Sequence, residues 1–300
     1  MAVAESESYS KAARQLFMNQ PNVYVQMRAL EKEHHCRLFD QVGKRAVLTE
    51  AGRTLYTYAN QILALEHDAV LAMRDLGGLS TGRLSVGGGT IVGNYLLPRI
   101  MAEFGERYPN IDLGLKIWGP PDDVAKDLND FSVDLGFCVD SGQFPNTVVV
   151  EAFYEDPILL CVGANHPLAA QSAPSAADLA GERFVWFGPG THTQAAGRSA
   201  LRDLGLEPRD TMVLGSPEAV KTIVKEGYGV TLLPQLAIDE DLRAGRLRVI
   251  TPPGFRASLS ICCLRHGARH LSPSAGVFLE LAREWAAQMA RPHASLGATI

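Results

Sequence analysis

From Thr49 to Leu76, apolar residues recur at Leu55, Tyr58, Ile62, Leu65, Ala69, Met73 and Leu76, in steps of three and four. That spacing keeps one side of an α-helix apolar along its whole length. Thr49 offers a capping oxygen and Glu50 an acid near the positive end of the helix dipole. Gly77, Gly78 and Gly82 close the segment. A helix of this length, followed at once by glycines, is expected to link two units. Its seam suits a coiled coil, so Leu55, Tyr58, Ile62, Leu65, Ala69 and Met73 are the expected dimerisation residues. Packing against its own domain would use the same stripe.

The chain has 300 residues, enough for more than one compact unit. With 46% hydrophobic and 20% charged residues it reads as globular. No apolar run approaches the ~18 residues of a membrane span, so no membrane partner is expected. The opening "MAVAESESYSKAARQ" has no basic start followed by an apolar core, which points to the cytoplasm. Cys36, Cys138, Cys161, Cys262 and Cys263 are scattered without a CxxC pair, as expected of reduced thiols. His34, His35 and Cys36 are consecutive, and consecutive helical residues diverge, so no metal site is expected. Residues 1–60 hold eight Lys/Arg against six Asp/Glu, or +2, which leaves −7 of the net −5 on the other 240 residues. A mildly basic head on an acidic body fits double-stranded DNA as a partner.

Residues 1–48 read as a winged helix-turn-helix. "YSKAARQLF" is a helix with Ser10 as its expected cap. A turn from Met18 to Asn22 follows, with Asn19 or Gln20 as cap and Pro21 in the first helical turn. The next helix runs to about Glu33, and "CRLFDQVGKRAVLT" makes a hairpin turning at Gly43, Lys44 and Arg45. Val23, Met27 and Leu30 are its inward face; Asn22, Tyr24, Gln26 and Arg28 carry hydrogen-bonding tips for base edges. Ser10, Lys11, Asn19 and Gln20 would touch phosphates, and Lys44 and Arg45 the backbone or minor groove, unless they only keep the turn soluble.

From Arg83 strands and helices alternate, as in α/β folds with parallel sheets. Two such runs in tandem predict a two-lobed α/β unit: lobe I from 82–160 plus 265–291, and lobe II from 161–264, with residues 49–78 as the linker. A ligand belongs in the crevice between the lobes. "GGGTIV" places Gly87, Gly88 and Gly89 at a strand end, with Thr90 and Ile91 opening a helix; a helix N-terminus suits a small anion. "GSPEAV" repeats the arrangement around Ser216, and "FGPGTHT" adds a polar loop with Thr191 and His192. Trp118 and Phe137 are candidates for the apolar wall, and Gly229 for a close backbone approach. Neither a GxGxxG nor a Walker loop is present, so no cofactor is expected; without a GxSxG elbow or paired carboxylates, no catalytic residue is assigned. "LLCVG" and "SICCLRH" would cross between the lobes, bringing Cys161 near Cys262 and Cys263, or the thiols are simply buried and apolar.

The residues Ala4–Leu16, "NQPNVYVQMRALE" (Asn19–Glu31), "RLFD", "LTEAG", "LPRIMAEFGERYP", "VDLGF", "ANHPLA" and "VKEGYGVTLLP" occur in the order of the LysR-type transcriptional regulators. The chain resembles that family over nearly its whole length. "GGGTIVGNYLLP" looks most like its subgroup controlling carbon fixation and related metabolic genes. The resemblance implies a winged-helix head, a linker helix that pairs subunits into a homodimer or homotetramer, and an effector domain like the periplasmic binding proteins. Three departures stand out. The family's first helix begins well before the position of Met1, so only its end, "MAVAE", is expected here. Tyr24 occupies a position where the family prefers a small hydroxyl residue, and Gln41 one where a basic residue is usual. The expected function is a transcriptional regulator switched by a small anion; the alternative is a cytoplasmic small-molecule-binding protein of the same fold with impaired DNA binding.

Overall fold

A computed structural model of the chain describes residues 1–43, 45–74, 82–119, 122–171, 173–208 and 210–289. The head contains α1 (Ala2–Ser6), α2 (Tyr9–Gln15), α3 (Gln20–Glu33) and the hairpin β1 (Phe39–Val42) and β2 (Arg45–Leu48). Ser8, not Ser10, caps α2: its Oγ accepts from the Lys11 N–H at 3.4 Å. Ser10 is two residues too far in and instead donates to Gln20 Oε1 at 2.6 Å, joining α2 to α3. Asn19 caps α3, accepting from the Asn22 N–H at 3.0 Å, with Pro21 in the first turn. Val3, Ala12, Ala13, Val23 and Ala46 form a small buried core. Small residues here let the three helices approach closely.

Among the described residues of the head, Glu31 is the one charged side chain that is buried. Its Oε1 accepts from the Leu38 N–H at 2.8 Å and the Phe39 N–H at 3.3 Å, and its Oε2 pairs with Arg28 at 2.9 Å. It therefore ties the end of α3 to the wing. The linker helix α4 (Glu50–Arg74) starts against the same wing. Thr49 caps it, accepting from the Gly52 N–H at 3.0 Å and donating to Arg37 O at 2.6 Å. Tyr58, Ile62 and Leu65 are 59%, 66% and 52% exposed, so the expected seam is an open apolar stripe. Leu55 is half-buried and Ala69 exposed; the side chain of Met73, and Lys44, lie outside the described residues.

The remaining elements are β3 (Gly82–Gly89), α5 (Thr90–Tyr95), α6 (Leu97–Arg107), β4 (Ile111–Trp118), α7 (Asp122–Asn129), β5 (Leu135–Val139), β6 (Val148–Gly163), α8 (Ala176–Ala180), β7 (Phe184–Phe187), α9 (His192–Asp203), β8 (Asp210–Leu214), α10 (Pro217–Lys225), β9 (Val230–Pro234), α11 (Gln235–Arg243), β10 (Leu247–Val249), β11 (Ser258–His266) and α12 (Pro273–Met289). The strands run in the order β4-β3-β5-β11-β6-β9-β7-β8, with β10 also on β6. The β4-β3-β5 and β8-β7-β9 contacts are parallel, as the alternating pattern requires. Among the described residues no helix is long and apolar enough to cross a membrane.

The two parallel units share β6. Val148–Pro157 pair with β11, and Ile158–Val162 pair with β9. The partner changes at Pro157, which has no N–H to give a ladder. Among the described residues β11 pairs only with β5 and the first part of β6. The sequence-derived boundary at residues 264 and 265 therefore cuts a single strand of the first unit. The expected approach of the thiols is corrected with it, and the alternative holds, since Cys161, Cys262 and Cys263 are all buried. Cys161 lies opposite Thr231 and Val249, whereas Cys262 lies opposite Cys138 and Ala152. Ala152 and Cys161 are separated along β6 by roughly 30 Å at ~3.3 Å per residue.

Beside the partner change, Asp156 is fully buried and accepts from the Leu236 N–H at 3.3 Å. Burial pushes its pKa up to about 7, against the pull of the N–H groups opening α11. Across the two units Tyr95 donates to Glu218 at 2.7 Å and Arg99 pairs with Glu240 at 3.2 Å. Against the linker, Gln61 donates to Asn129 O at 2.6 Å.

Candidate functional site

The carboxyl ends of β3, β4, β5 and β7 converge on a cleft of about 490 Å³. This is where open α/β sheets leave room for ligands, and the size suits a small molecule. One wall is Gly89, Thr90, Ile91, Val92, Trp118, Val124, Cys138 and Val139; the other is the Phe187–Thr193 loop with Gly215. Gly188 and Gly190 have φ of +56° and +72°, a region that glycine adopts without the Cβ clash. The loop thereby turns back so that Thr191 can cap α9, accepting from the Gln194 N–H at 3.2 Å. Its hydroxyl donates to Phe187 O at 3.2 Å. Thr90 donates to Trp118 O at 3.3 Å. Among the described lining residues the polar groups are threonine hydroxyls, His192 and backbone amides, and no Lys or Arg takes part. An acidic group there would rest on N–H dipoles and hydroxyls.

The structure brings Gly89, Thr90, Ile91, Trp118, Thr191 and His192 together, and gives the other sequence candidates different work. A Cβ on Gly88 would stand 2.7 Å from Leu97 Cδ1 and 2.8 Å from Gly93 Cα, so Gly88 lets α5 and α6 sit on β3. A Cβ on Gly87 would fall 1.9 Å from the Trp118 ring, which lies over the strand. That ring is held by its Nε1 donating to Asp127 at 2.6 Å, while Lys116 pairs with the same carboxylate at 2.6 Å. Phe137 points into the core against Phe153 and Phe278. Gly229 allows β9 to pass Arg183 O, from which a Cβ would be 2.1 Å. Ser216 precedes α10 without capping it, and its neighbour Gly215 lines the cleft instead. Cys138, Val139 and Gly215 were missed, though the rule that ligands sit at the carboxyl ends of parallel strands would have found the first two.

On the head, Ser10, Lys11, Asn19, Gln20, Asn22, Tyr24, Gln26, Arg28 and Arg45 are all exposed. Their freedom differs. Arg45 pairs with Glu7 at 3.4 Å. Arg28 donates through Nε to Tyr24 Oη at 3.0 Å, lies 5.2 Å from the Tyr24 ring centroid, and pairs with Glu31. Burial raises the pKa of Glu31, but the Leu38 and Phe39 amides and Arg28 outweigh it and hold the carboxyl below its usual range. At 100° per residue, Tyr24 and Gln26 flank the inward face at roughly +100° and −60° from Val23, not opposite it. Val25, at roughly 200°, stands at the centre of the outward face and is 64% exposed. Counting turns rather than polar tips reveals it.

Residues 77–287 match the family model described as the LysR substrate binding domain, and residues 1–53 match that of the bacterial regulatory helix-turn-helix protein, lysR family. A RuBisCO operon transcriptional regulator of Allochromatium vinosum is 35% identical over 99% of this chain and 96% of its own. The crystal structure of full-length CbnR with its target DNA superposes with a TM-score of 0.67 at 22% identity, covering 94% of this chain and 96% of that one. The regulatory domain of CcmR from Synechocystis PCC6803, in complex with 2-PG, gives a TM-score of 0.59 at 23% identity over 70% of this chain and 99% of that one. With a capped helix-turn-helix, a linker helix and a two-lobed α/β unit in one chain, matched over almost its full length, this protein belongs to the LysR family of bacterial transcriptional regulators.

Proposed function

We propose that residues 1–48 bind operator DNA as paired heads, that residues 49–78 pair the subunits, and that a small anion in the cleft switches the assembly. The observation carrying this reading is the 490 Å³ cleft between two α/β units that hang on the same chain as the helix-turn-helix. The threonine hydroxyls and the α9 N-terminus face it, which supports an anion of modest charge. The CcmR domain with its bound 2-PG supports a small acid in a domain of this fold. Ligand binding shifts the population toward one lobe arrangement, and the linker helices pass that change to the heads. The cleft binds without catalysing a reaction, and the protein acts in the cytoplasm, where the operator is.

Thr90→Val keeps shape and removes the hydroxyl. Effector affinity is expected to fall about tenfold, the worth of one hydrogen bond, with DNA affinity unchanged; titration calorimetry and gel shifts check both. Ile62→Asp places a charge in the exposed stripe of α4 and is expected to weaken subunit association at least about tenfold by sedimentation velocity. Retained full-strength dimers would remove the linker helix from the pairing surface. The decisive experiment combines a thermal-shift screen of small organic and phosphorylated acids with a gel shift on DNA upstream of the gene. The engagement of Arg28 by Tyr24 and Glu31 favours the second reading, a ligand-binding protein with weakened DNA binding. Ligand stabilisation without any DNA shift would establish that one.

A further inference from the structure

The outward face of α3 has a side chain that no hydrogen-bonding account of the head uses. Val25 is 64% exposed at its centre, with exposed Ala29 one turn further on and exposed Asn22 one turn before. A β-branched residue is not a favoured choice for an open helix surface. The neighbouring guanidinium of Arg28, whose fork suits guanine O6 and N7, is committed to Tyr24 Oη and Glu31 Oε2. Glu31 is itself held by two backbone amides. What remains at the centre of the face is an isopropyl group beside exposed Asn22, a residue type that pairs with adenine N6 and N7.

We propose that Val25 is a specificity-determining residue that reads thymine, its isopropyl group packing on the C5-methyl of one thymine per half-site in the major groove. This rests on the DNA-binding reading above. Asn22 at its edge suits adenine, which makes the contacted step rich in A·T pairs. On this face of α3 the apolar side chains are one valine and one alanine, and a single methyl group is the right size to meet the isopropyl group. Ala29 lacks side-chain bulk, which lets the helix lie close to the base edges.

The test removes that methyl group alone. The full-length protein selects its preferred duplex from a random pool. Each thymine of the duplex is then replaced in turn by deoxyuridine, and affinities are measured by gel shift. For the wild type, one replacement per half-site is expected to weaken binding about fourfold, the worth of one buried methyl group. Val25→Ala is expected to bind the thymine duplex correspondingly less well and to be indifferent to deoxyuridine at that position, with an unchanged melting temperature. Asn22→Ala keeps the deoxyuridine sensitivity and loses preference at a neighbouring adenine. The proposal is overturned if no thymine shows the effect, as it would be if this face met a protein instead, or if Val25→Ala retains it in full. Failure of the wild type to select any duplex overturns the DNA-binding reading and this proposal together.

Discussion

Gly87→Ala is expected to lower the melting temperature of the α/β unit by roughly 6–12 °C, from an overpacking cost of about 3 kcal/mol in a domain of this size. The added methyl would stand 1.9 Å from Trp118 Cη2 and 2.1 Å from Cζ2. The ring cannot swing away cheaply. It is 2% exposed, its Nε1 donates to Asp127, and Gly136 on β5 leaves a Cβ only 3.2 Å of clearance on the same ring. Trp118 also presents the carbonyl that receives the Thr90 hydroxyl, so displacing it disturbs the cleft wall. Adding Trp118→Leu to Gly87→Ala makes room for the methyl. The double variant is expected to be more stable than the sum of the single losses predicts, by at least about 1 kcal/mol. Calorimetry of the four proteins measures the coupling; strict additivity would show that the ring is not what excludes a side chain at Gly87.

Glu31→Ala is expected to destabilise the head by about 3 kcal/mol, leaving the α/β unit unaffected. It strips the acceptor from the Leu38 and Phe39 amides, and a buried amide left unpaired costs about 1–3 kcal/mol. It also releases Arg28, which loses its carboxylate partner. Glu31→Gln retains an amide oxygen for the two N–H groups and is expected to cost about 1 kcal/mol. The pH dependence follows from the lowered carboxyl pKa. A group whose folded pKa is depressed contributes stability that is fully present above its unfolded pKa and is lost as pH falls through the folded one. Acid unfolding of the wild-type head should therefore steepen below the ordinary glutamate range, and both Glu31 variants should flatten it. Chemical denaturation followed by a head-specific probe at several pH values reads the difference. Equal slopes in wild type and variants would deny Glu31 this role.

The order of elements was legible because it rests on local rules. The 3.6-residue period of the linker helix, Asn19 before Pro21, the Ser272 cap on the last helix and the alternation of strands with helices are all encoded within short windows. Ser10 was misassigned as a cap because Ser8 offers the same chemistry one short step earlier, and only the backbone hydrogen bond distinguishes them. The long strand β6 was recognised only after Pro157, since a proline normally ends a run; here it marks a change of partner.

The cleft was half legible. Thr90, Ile91, Thr191 and His192 follow from strand-to-loop-to-helix joints, which any α/β unit turns toward its ligand face. Glycines were the least readable residues, because a missing side chain records a neighbour that the sequence does not name. Gly87 serves Trp118, Gly88 serves Gly93 and Leu97, and Gly229 serves the carbonyl of Arg183. The cysteines show the same limit: Cys262 meets Cys138, 124 positions earlier, through strand register alone.

By itself, the sequence determined which family this chain joins, the helix that couples its two parts and the joints that open its cleft, since propensity, capping and periodicity act over a few residues. Only the tertiary structure decided which side chains remain available. It laid Trp118 over Gly87, joined Tyr95 to Glu218, and passed β6 from one sheet partner to the other. Those outcomes depend on contacts between distant segments, whose geometry is fixed when the core packs and is written in no single stretch of the chain.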